Sequence, residues 1–266
     1  MKRHIRLAFS GSGFLAPIHS GAVCAVMDSG LEIVEVAGTS GGSIAAACVA
    51  SGMNRDQMRK MAIDTDFEPM LRFGLWNFLS SGTYCDGRRL QYWLEGVLHL
   101  KTFNKLNIPC QIFATHVEAM RAFVFSDQRT PTASVALACR ASCAVPFVFR
   151  PVKWDATTTL VDGGAVNDCP VDRLNHKSAR FGVHVDTPRS GKAHPIWKYA
   201  GTMVGLLMRE NEDSHIHLGV STGATIVDVK TSIGFLNVRM TIKDKHDLFL
   251  AGYDAMMANL QSKGLA

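Results

Sequence analysis

Val34-Glu35-Val36-Ala37-Gly38-Thr39-Ser40-Gly41-Gly42-Ser43-Ile44-Ala45-Ala46-Ala47 is the stretch on which the fold turns. It reads as a strand that stops abruptly at Gly38 and resumes as a small-residue helix after Gly42. Ser40 lies between the two in the pattern Gly-x-Ser-x-Gly. A sharp strand-to-helix turn exposes the serine hydroxyl at a helix N-terminus, and only residues without bulk can flank it. Gly38 and Gly42 do so, and Gly41 lets a reacting group approach the backbone. A nucleophilic serine is the chemical reading. A tight turn with an incidental serine, or a loop that holds phosphate, is the plainer one.

Upstream, a strand over 5–10 runs into Gly11-Ser12-Gly13, followed by a helix that begins near Pro17 and ends around Ser29-Gly30. Strand, glycine loop, helix, repeated twice, is the rhythm of a parallel sheet covered on both faces. Downstream, the pattern predicts helices over 55–63, 87–98 (with Asp86 as N-cap), 132–141, 196–210 and 244–260. It predicts strands over 110–115, 122–125, 158–161, 181–185 and 224–229, and an extended piece over 144–152. The apolar segment 67–79, broken by Pro69 and Gly74, is expected to fill the core, the other reading being a mobile flap whose apolar face meets lipid. No repeat or linker interrupts the chain, so a single domain over 1–266 is expected.

Composition narrows the classes. The 266 residues are 47% hydrophobic and 19% charged, with ample material for a core. No apolar run approaches the roughly 18 residues of a membrane-spanning helix. The basic start, Met1-Lys2-Arg3-His4, leads to an apolar run too short for an export segment, because Ser10-Gly11-Ser12-Gly13 interrupts it. Seven scattered cysteines without a CxxC pair fit a reducing compartment, and Cys139 and Cys143 read as small core residues. A cytoplasmic protein, peripheral at membranes, is the expectation. The net charge of +5 suits an anionic surface or acidic substrates. The cations are dispersed, which argues against nucleic acid.

Four features carry the chemistry. Gly11-Ser12-Gly13-Phe14-Leu15-Ala16 matches a dinucleotide fingerprint, but that reading needs an acidic residue at the end of the second strand. Glu32 and Glu35 come too early. The alternative is an oxyanion hole made of the loop's backbone N–H groups. Ser40 needs a base, yet the Ser-Asp-His triad of α/β-hydrolases follows several strands and only two precede Ser40. Asp162 ends a strand and precedes Gly163-Gly164. If it meets Ser40 at the ligand-binding rim of the sheet it can act as base directly, given partial desolvation to raise its pKa; otherwise it is a plain Asp-Gly turn. The histidines follow no ligand spacing. His19 is expected beneath the glycine loop, and His215 and His217 as an exposed pair, the other reading being a weak metal site.

These blocks together resemble the patatin-like phospholipase family. Leu7 to Phe14 with His19 and Gly21 is similar to its glycine-rich block, and Gly38 to Ser43 to its nucleophile turn. Arg140-Ala141-Ser142-Cys143-Ala144-Val145-Pro146 resembles its Arg-Ala-Ser-x-Ala-x-Pro segment, and Val161 to Asn167 its Asp-Gly-Gly block. The resemblance spans about residues 7–173 and implies a three-layer α/β/α fold with a mainly parallel sheet. It further implies hydrolysis of acyl esters of phospholipids or other lipids by a Ser-Asp dyad, with no cofactor or essential metal. Ser40 is then the nucleophile and Asp162 its base, with the backbone of Gly11, Ser12, Gly13 and Gly41 holding the oxyanion. The expected partner is a lipid substrate at a membrane surface. A nucleotide-binding oxidoreductase and a non-enzymatic lipid-binding relative are the alternatives. The chain departs from the family at Ser12 and Ala16 (usually glycine), Leu15 (often basic) and Asp168 (commonly asparagine).

Overall fold

A computed structural model describes residues 3–187 and 214–266. Among these residues eight strands form one mixed sheet: β1 His4–Phe9, β2 Glu32–Thr39, β3 Cys110–His116, β4 Arg121–Phe125, β5 Val152–Lys153, β6 Thr159–Asp162, β7 Ala179–Asp186 and β8 Thr225–Lys230. Along the sheet the order is β5-β6-β3-β2-β1-β7-β8, with β4 paired to β3. The run from β3 through β2, β1 and β7 to β8 is parallel, whereas β4, β6 and β5 pair antiparallel. The central strands are apolar on both faces, as a sheet covered on both sides requires.

Strand alternation sorts the core into two layers. Ile5, Leu7 and Phe9 of β1, Val36 of β2, Ile112 of β3 and Phe181 and Val183 of β7 face the larger core. That side is covered by α1 Ala16–Asp28, α2 Gly41–Ala50, α3 Arg55–Asp64, α5 Arg88–Val97, α6 Val135–Ser142 and the C-terminal helix Ile242–Ser262. Ala8, Ala37 and Phe113 face the other way, onto Val171, Leu174 and Ala224. Residues 214–221 are helical, and Gly219 lies against Val171, so helix covers this face as well. The three-layer α/β/α arrangement expected from the sequence is therefore present, with more antiparallel pairing than the βα rhythm alone implies. The helix expected over 196–210 lies outside the described residues.

Several local expectations need correction. The segment 67–79 is not core filler throughout. Phe67 and Met70 are buried, but α4 Leu75–Ser81 leaves Leu75, Trp76 and Leu79 facing water. Asp86 is not the N-cap of α5. Gly87 takes that place with φ 73, squeezed against the Arg140 guanidinium, and the Asp86 carboxylate accepts the Arg88 N–H at 3.0 Å from one residue further back. α6 starts at Val135 rather than Thr132, because Ser134 caps it by accepting the Leu137 N–H. Residues 144–149 turn rather than extend, with Phe147 at φ 68. His215 is not half of an exposed pair: its Nδ1 lies 3.1 Å from Asp172 Oδ2.

Candidate active site

The turn at Ser40 is built from backbone that leaves no spare room. Ser40 precedes α2 with φ 50 and ψ −127, a positive φ that costs a non-glycine residue about 1–3 kcal/mol. Its neighbours over-determine that conformation. The Ser40 N–H donates to Ser142 Oγ at 2.8 Å, and Ser142 Oγ donates onward to the Phe113 carbonyl at 2.6 Å. The Ser40 carbonyl accepts from the Ser43 N–H at 2.9 Å and from Ser43 Oγ at 2.6 Å. A Cβ on Gly42 would stand 2.4 Å from the carbonyl oxygens of both Phe9 and Ser10, so the start of α2 presses directly on the end of β1.

Strand β3 brings Ser40 and Asp162 together. One edge of β3 pairs with β2 up to Thr39 opposite Phe113. β6 takes over the same edge from the opposite direction, ending with Asp162 opposite Ala114. Thr39 and Asp162 thus face adjacent positions of one strand, head to head. The sequence places Asp162 at a strand end, but β6 is antiparallel and enters the rim from the far side rather than rising with the parallel strands. Ser40 Oγ donates to Asp162 Oδ2 at 2.7 Å, and the Gly164 N–H, from the short turn Gly163–Ala165, donates to Oδ1 at 2.8 Å. The Thr115 hydroxyl holds the Asp162 carbonyl at 2.7 Å.

Burial pushes the Asp162 carboxyl up to about 6, against the opposing pull of the hydrogen bonds from Ser40 and Gly164. No imidazole is hydrogen-bonded to either side chain among the described residues. His19 lies beneath the glycine loop, its Nε2 3.0 Å from the Ser10 carbonyl and its ring edge-on to Phe9. Burial lowers it to about 4, so it is neutral at neutral pH.

The glycine loop is only partly free to donate. The Gly11 N–H is taken by the Asp168 carbonyl at 3.1 Å, the Phe14 N–H by Phe235 and the Leu15 N–H by Ser12. Gly11 therefore does not fit the donor role expected of it. It serves by lacking a side chain: a Cβ there would stand 2.4 Å from Asp168 Oδ1 and 3.5 Å from Ser40 Cβ. The N–H groups of Ser12 and Gly13 have no partner among the described residues. Gly41 opens α2, so its N–H has no partner within the helix. A Cβ on Gly41 would come 2.6 Å from Ser12 Oγ and 3.0 Å from the Gly13 nitrogen, which sets the start of α2 directly against the glycine loop. The Ser12 hydroxyl is buried in the same place without a hydrogen-bond partner among the described residues.

Two groups escape sequence reasoning. Ser142 sits in the quoted Arg-Ala-Ser segment, but its part in holding Ser40 arises only once α6 and β3 lie side by side. Thr39 Oγ1 donates to the Asn167 carbonyl at 2.7 Å, and Asn167 Nδ2 donates to Asp172 at 2.9 Å, which ties the turn to the opposite layer. Among the described residues no group of three or more histidine, cysteine or acidic side chains is placed to hold a metal, and no helix is long and apolar enough to cross a membrane.

Known proteins share this architecture. VipD from Legionella pneumophila superposes with a TM-score of 0.70 at 14% identity, covering 98% of this chain and 67% of that one. ExoU, in its complex with SpcU from the type III secretion system of Pseudomonas aeruginosa, gives a TM-score of 0.54 at 16% identity. That match covers 100% of this chain and 52% of ExoU, so the chain spans about half of ExoU. An uncharacterised protein, R571 of Acanthamoeba polyphaga mimivirus, is 24% identical over 92% of this chain and 90% of its own length. The family model described as Patatin-like phospholipase matches residues 7–175, from β1 past the turn that follows Asp162. With its glycine loop, serine turn and Asp-Gly-Gly block all inside that match, the chain belongs to the patatin-like phospholipase family.

Proposed function

We propose that the protein is a serine acyl hydrolase that cleaves acyl ester bonds of phospholipids or related lipids with Ser40 and Asp162. The observation that carries this reading is the 2.7 Å hydrogen bond between Ser40 Oγ and a buried carboxylate with no imidazole between them. As Ser40 Oγ attacks the ester carbonyl, its proton passes to Asp162 Oδ2. The tetrahedral oxyanion is received by the N–H groups of Ser12, Gly13 and Gly41, with the Ser12 hydroxyl beside them. One such donor is worth about 10²–10³ in turnover. Asp162 then returns the proton to the leaving alkoxide. In the second half, water attacks the acyl enzyme and gives its proton to Asp162. Collapse of that intermediate frees the fatty acid and restores the Ser40 hydroxyl.

The test is to incubate the protein with mixed lipids, weigh the released fatty acids by mass spectrometry, and treat a parallel sample with a serine-reactive phosphonate. Release of fatty acid, with the label on the Ser40 peptide and loss of release after labelling, is expected. Binding of lipid without release would leave a non-enzymatic lipid binder. A dinucleotide-dependent thermal shift without labelling would favour the oxidoreductase.

Ser142 has a positioning role in this reading. Ser142→Ala removes the acceptor for the Ser40 N–H, leaving a buried donor unsatisfied at a cost of about 1–3 kcal/mol. If that cost falls on the transition state, kcat drops about 5- to 150-fold. KM is expected to stay within about twofold, since Ser142 is buried behind the turn. Steady-state kinetics on a soluble ester checks the split, and an equal rise in KM would remove Ser142 from the role.

A further inference from the structure

We propose that α4 and the aromatic residues beside it form the face by which the protein docks on a phospholipid surface. Leu75, Trp76 and Leu79 are 63%, 77% and 69% exposed. Single exposed apolar residues need no explanation, but these share one short helix, with Leu75 and Leu79 one turn apart. Phe73 and Tyr84 extend the patch, their rings 5.3 Å apart, and the Gly74 N–H donates to the Tyr84 carbonyl at 3.0 Å to close the loop that carries α4.

Charge at the edge of the patch selects the occupant. Arg72 and Arg89 line a cavity of about 490 Å³ next to Phe73 and Tyr84. Neither has a carboxylate within ion-pair distance among the described residues, whereas Arg239 in the same cavity is already paired with Glu68 at 2.8 Å. Asp66 and Glu68 line the same cavity, so its three arginines outnumber its two carboxylates, and Phe73 and Tyr84 join this cationic rim to the apolar helix, which matches both layers of a lipid interface. The apolar side chains suit the acyl boundary, and the arginines suit the phosphates above it.

The patch is also tied to the catalytic rim on two sides. Tyr84 and Cys85 donate their N–H groups to the carbonyls of Phe147 and Val148, each at 2.9 Å. The Arg140 guanidinium holds the base of this strap through the carbonyls of Asp86 and Arg150. Ala144, at the other end of the 144–149 turn, accepts the N–H of Asp162 at 3.0 Å. On the second side Phe67, which begins the segment, packs on Phe14 of the glycine loop with ring centres 5.5 Å apart. Docking through α4 therefore engages segments that are joined directly to the glycine loop and to the backbone of Asp162. The inference rests on the lipid-hydrolase reading, for which it supplies the route by which substrate is met.

Vesicles of ether-linked phosphatidylcholine, alone or mixed with ether-linked phosphatidylglycerol, give a surface the site cannot cleave. The full chain is expected to float with both, more with the anionic mixture, and to show a blue shift of tryptophan emission. The triple variant L75Q/W76Q/L79Q should bind at least tenfold more weakly. It should lose hydrolysis of ester-lipid vesicles in proportion, yet hydrolyse a dissolved short-chain ester like the wild type. R72Q/R89Q should lose only the preference for anionic vesicles. Unchanged vesicle binding by the triple variant, or no binding by the wild type, overturns the proposal. So does a solution dimer that the triple variant dissociates without any change in vesicle binding. Docking without hydrolysis of either substrate supports the proposal and instead overturns the hydrolase reading.

Discussion

Asp162→Asn is expected to lower kcat by about 10³- to 10⁴-fold while making the protein more stable at neutral pH. Asparagine keeps the shape and can still accept the Gly164 N–H, but it cannot take a proton from Ser40. The stability gain follows from the raised carboxyl. Below about pH 4 the group is protonated in the folded and unfolded chain alike. Between its ordinary 3.8 and its folded value of about 6, the folded chain holds a proton that the unfolded chain releases, so stability falls as pH rises through this window. Above about pH 6 the full loss is present, on the order of 3 kcal/mol. The neutral amide removes it. Thermal melts at pH 7.5 should show Asp162→Asn several °C above wild type, with the gap closing near pH 4. The same carboxyl sets the activity profile: kcat/KM of the wild type should rise with pH through about 6 and then level. A variant that retains near-normal turnover, or melts lower at neutral pH, would contradict a desolvated base.

Ser40→Ala is expected to have the larger kinetic effect, about 10⁵- to 10⁶-fold in kcat, with the opposite effect on stability. Alanine leaves the strained φ of 50 in place and removes the hydrogen bond to Asp162 Oδ2. A buried carboxylate then loses one of its two donors, at about 1–3 kcal/mol or more. The double variant Ser40→Ala/Asp162→Asn should be no slower than Ser40→Ala, because the two groups act as one unit, and it should recover the lost stability. Additive losses in kcat would mean that Asp162 acts on something other than Ser40.

Much of this was legible in the sequence, for identifiable reasons. The Ser40 turn can be read because only glycine fits where α2 presses on the end of β1. The burial of both faces of β1 and β2 follows from the strand–loop–helix rhythm, with consecutive apolar residues such as Leu7, Ala8 and Phe9. Asp162 could be placed at a strand end, but not the direction of its strand, since a residue pattern carries no sign of parallel or antiparallel pairing. The exposure of α4 was hidden for a similar reason: Phe67 and Trp76 are alike in hydrophobicity, and only the packed fold decides which one meets water. The loss of the Gly11 N–H as a donor is not legible because its acceptor, Asp168, is distant in sequence and nothing local announces it. The role of Ser142 is not legible either, because its two partners lie on two other elements.

The head-to-head meeting of β2 and β6 on one edge of β3 has a consequence for how activity is acquired during folding. Ser40 and Asp162 are separated by 122 positions along the chain, so their juxtaposition depends on non-local pairing, the slow kind. The helices and the β1–β2 pair can form earlier without producing any reactive serine. A slip of one residue between β6 and β3 would turn the carboxylate of Asp162 to the opposite face of the sheet. On the proposed reading, activity therefore reports register: a partly folded chain in which β6 has not yet paired with β3 has no carboxylate beside Ser40.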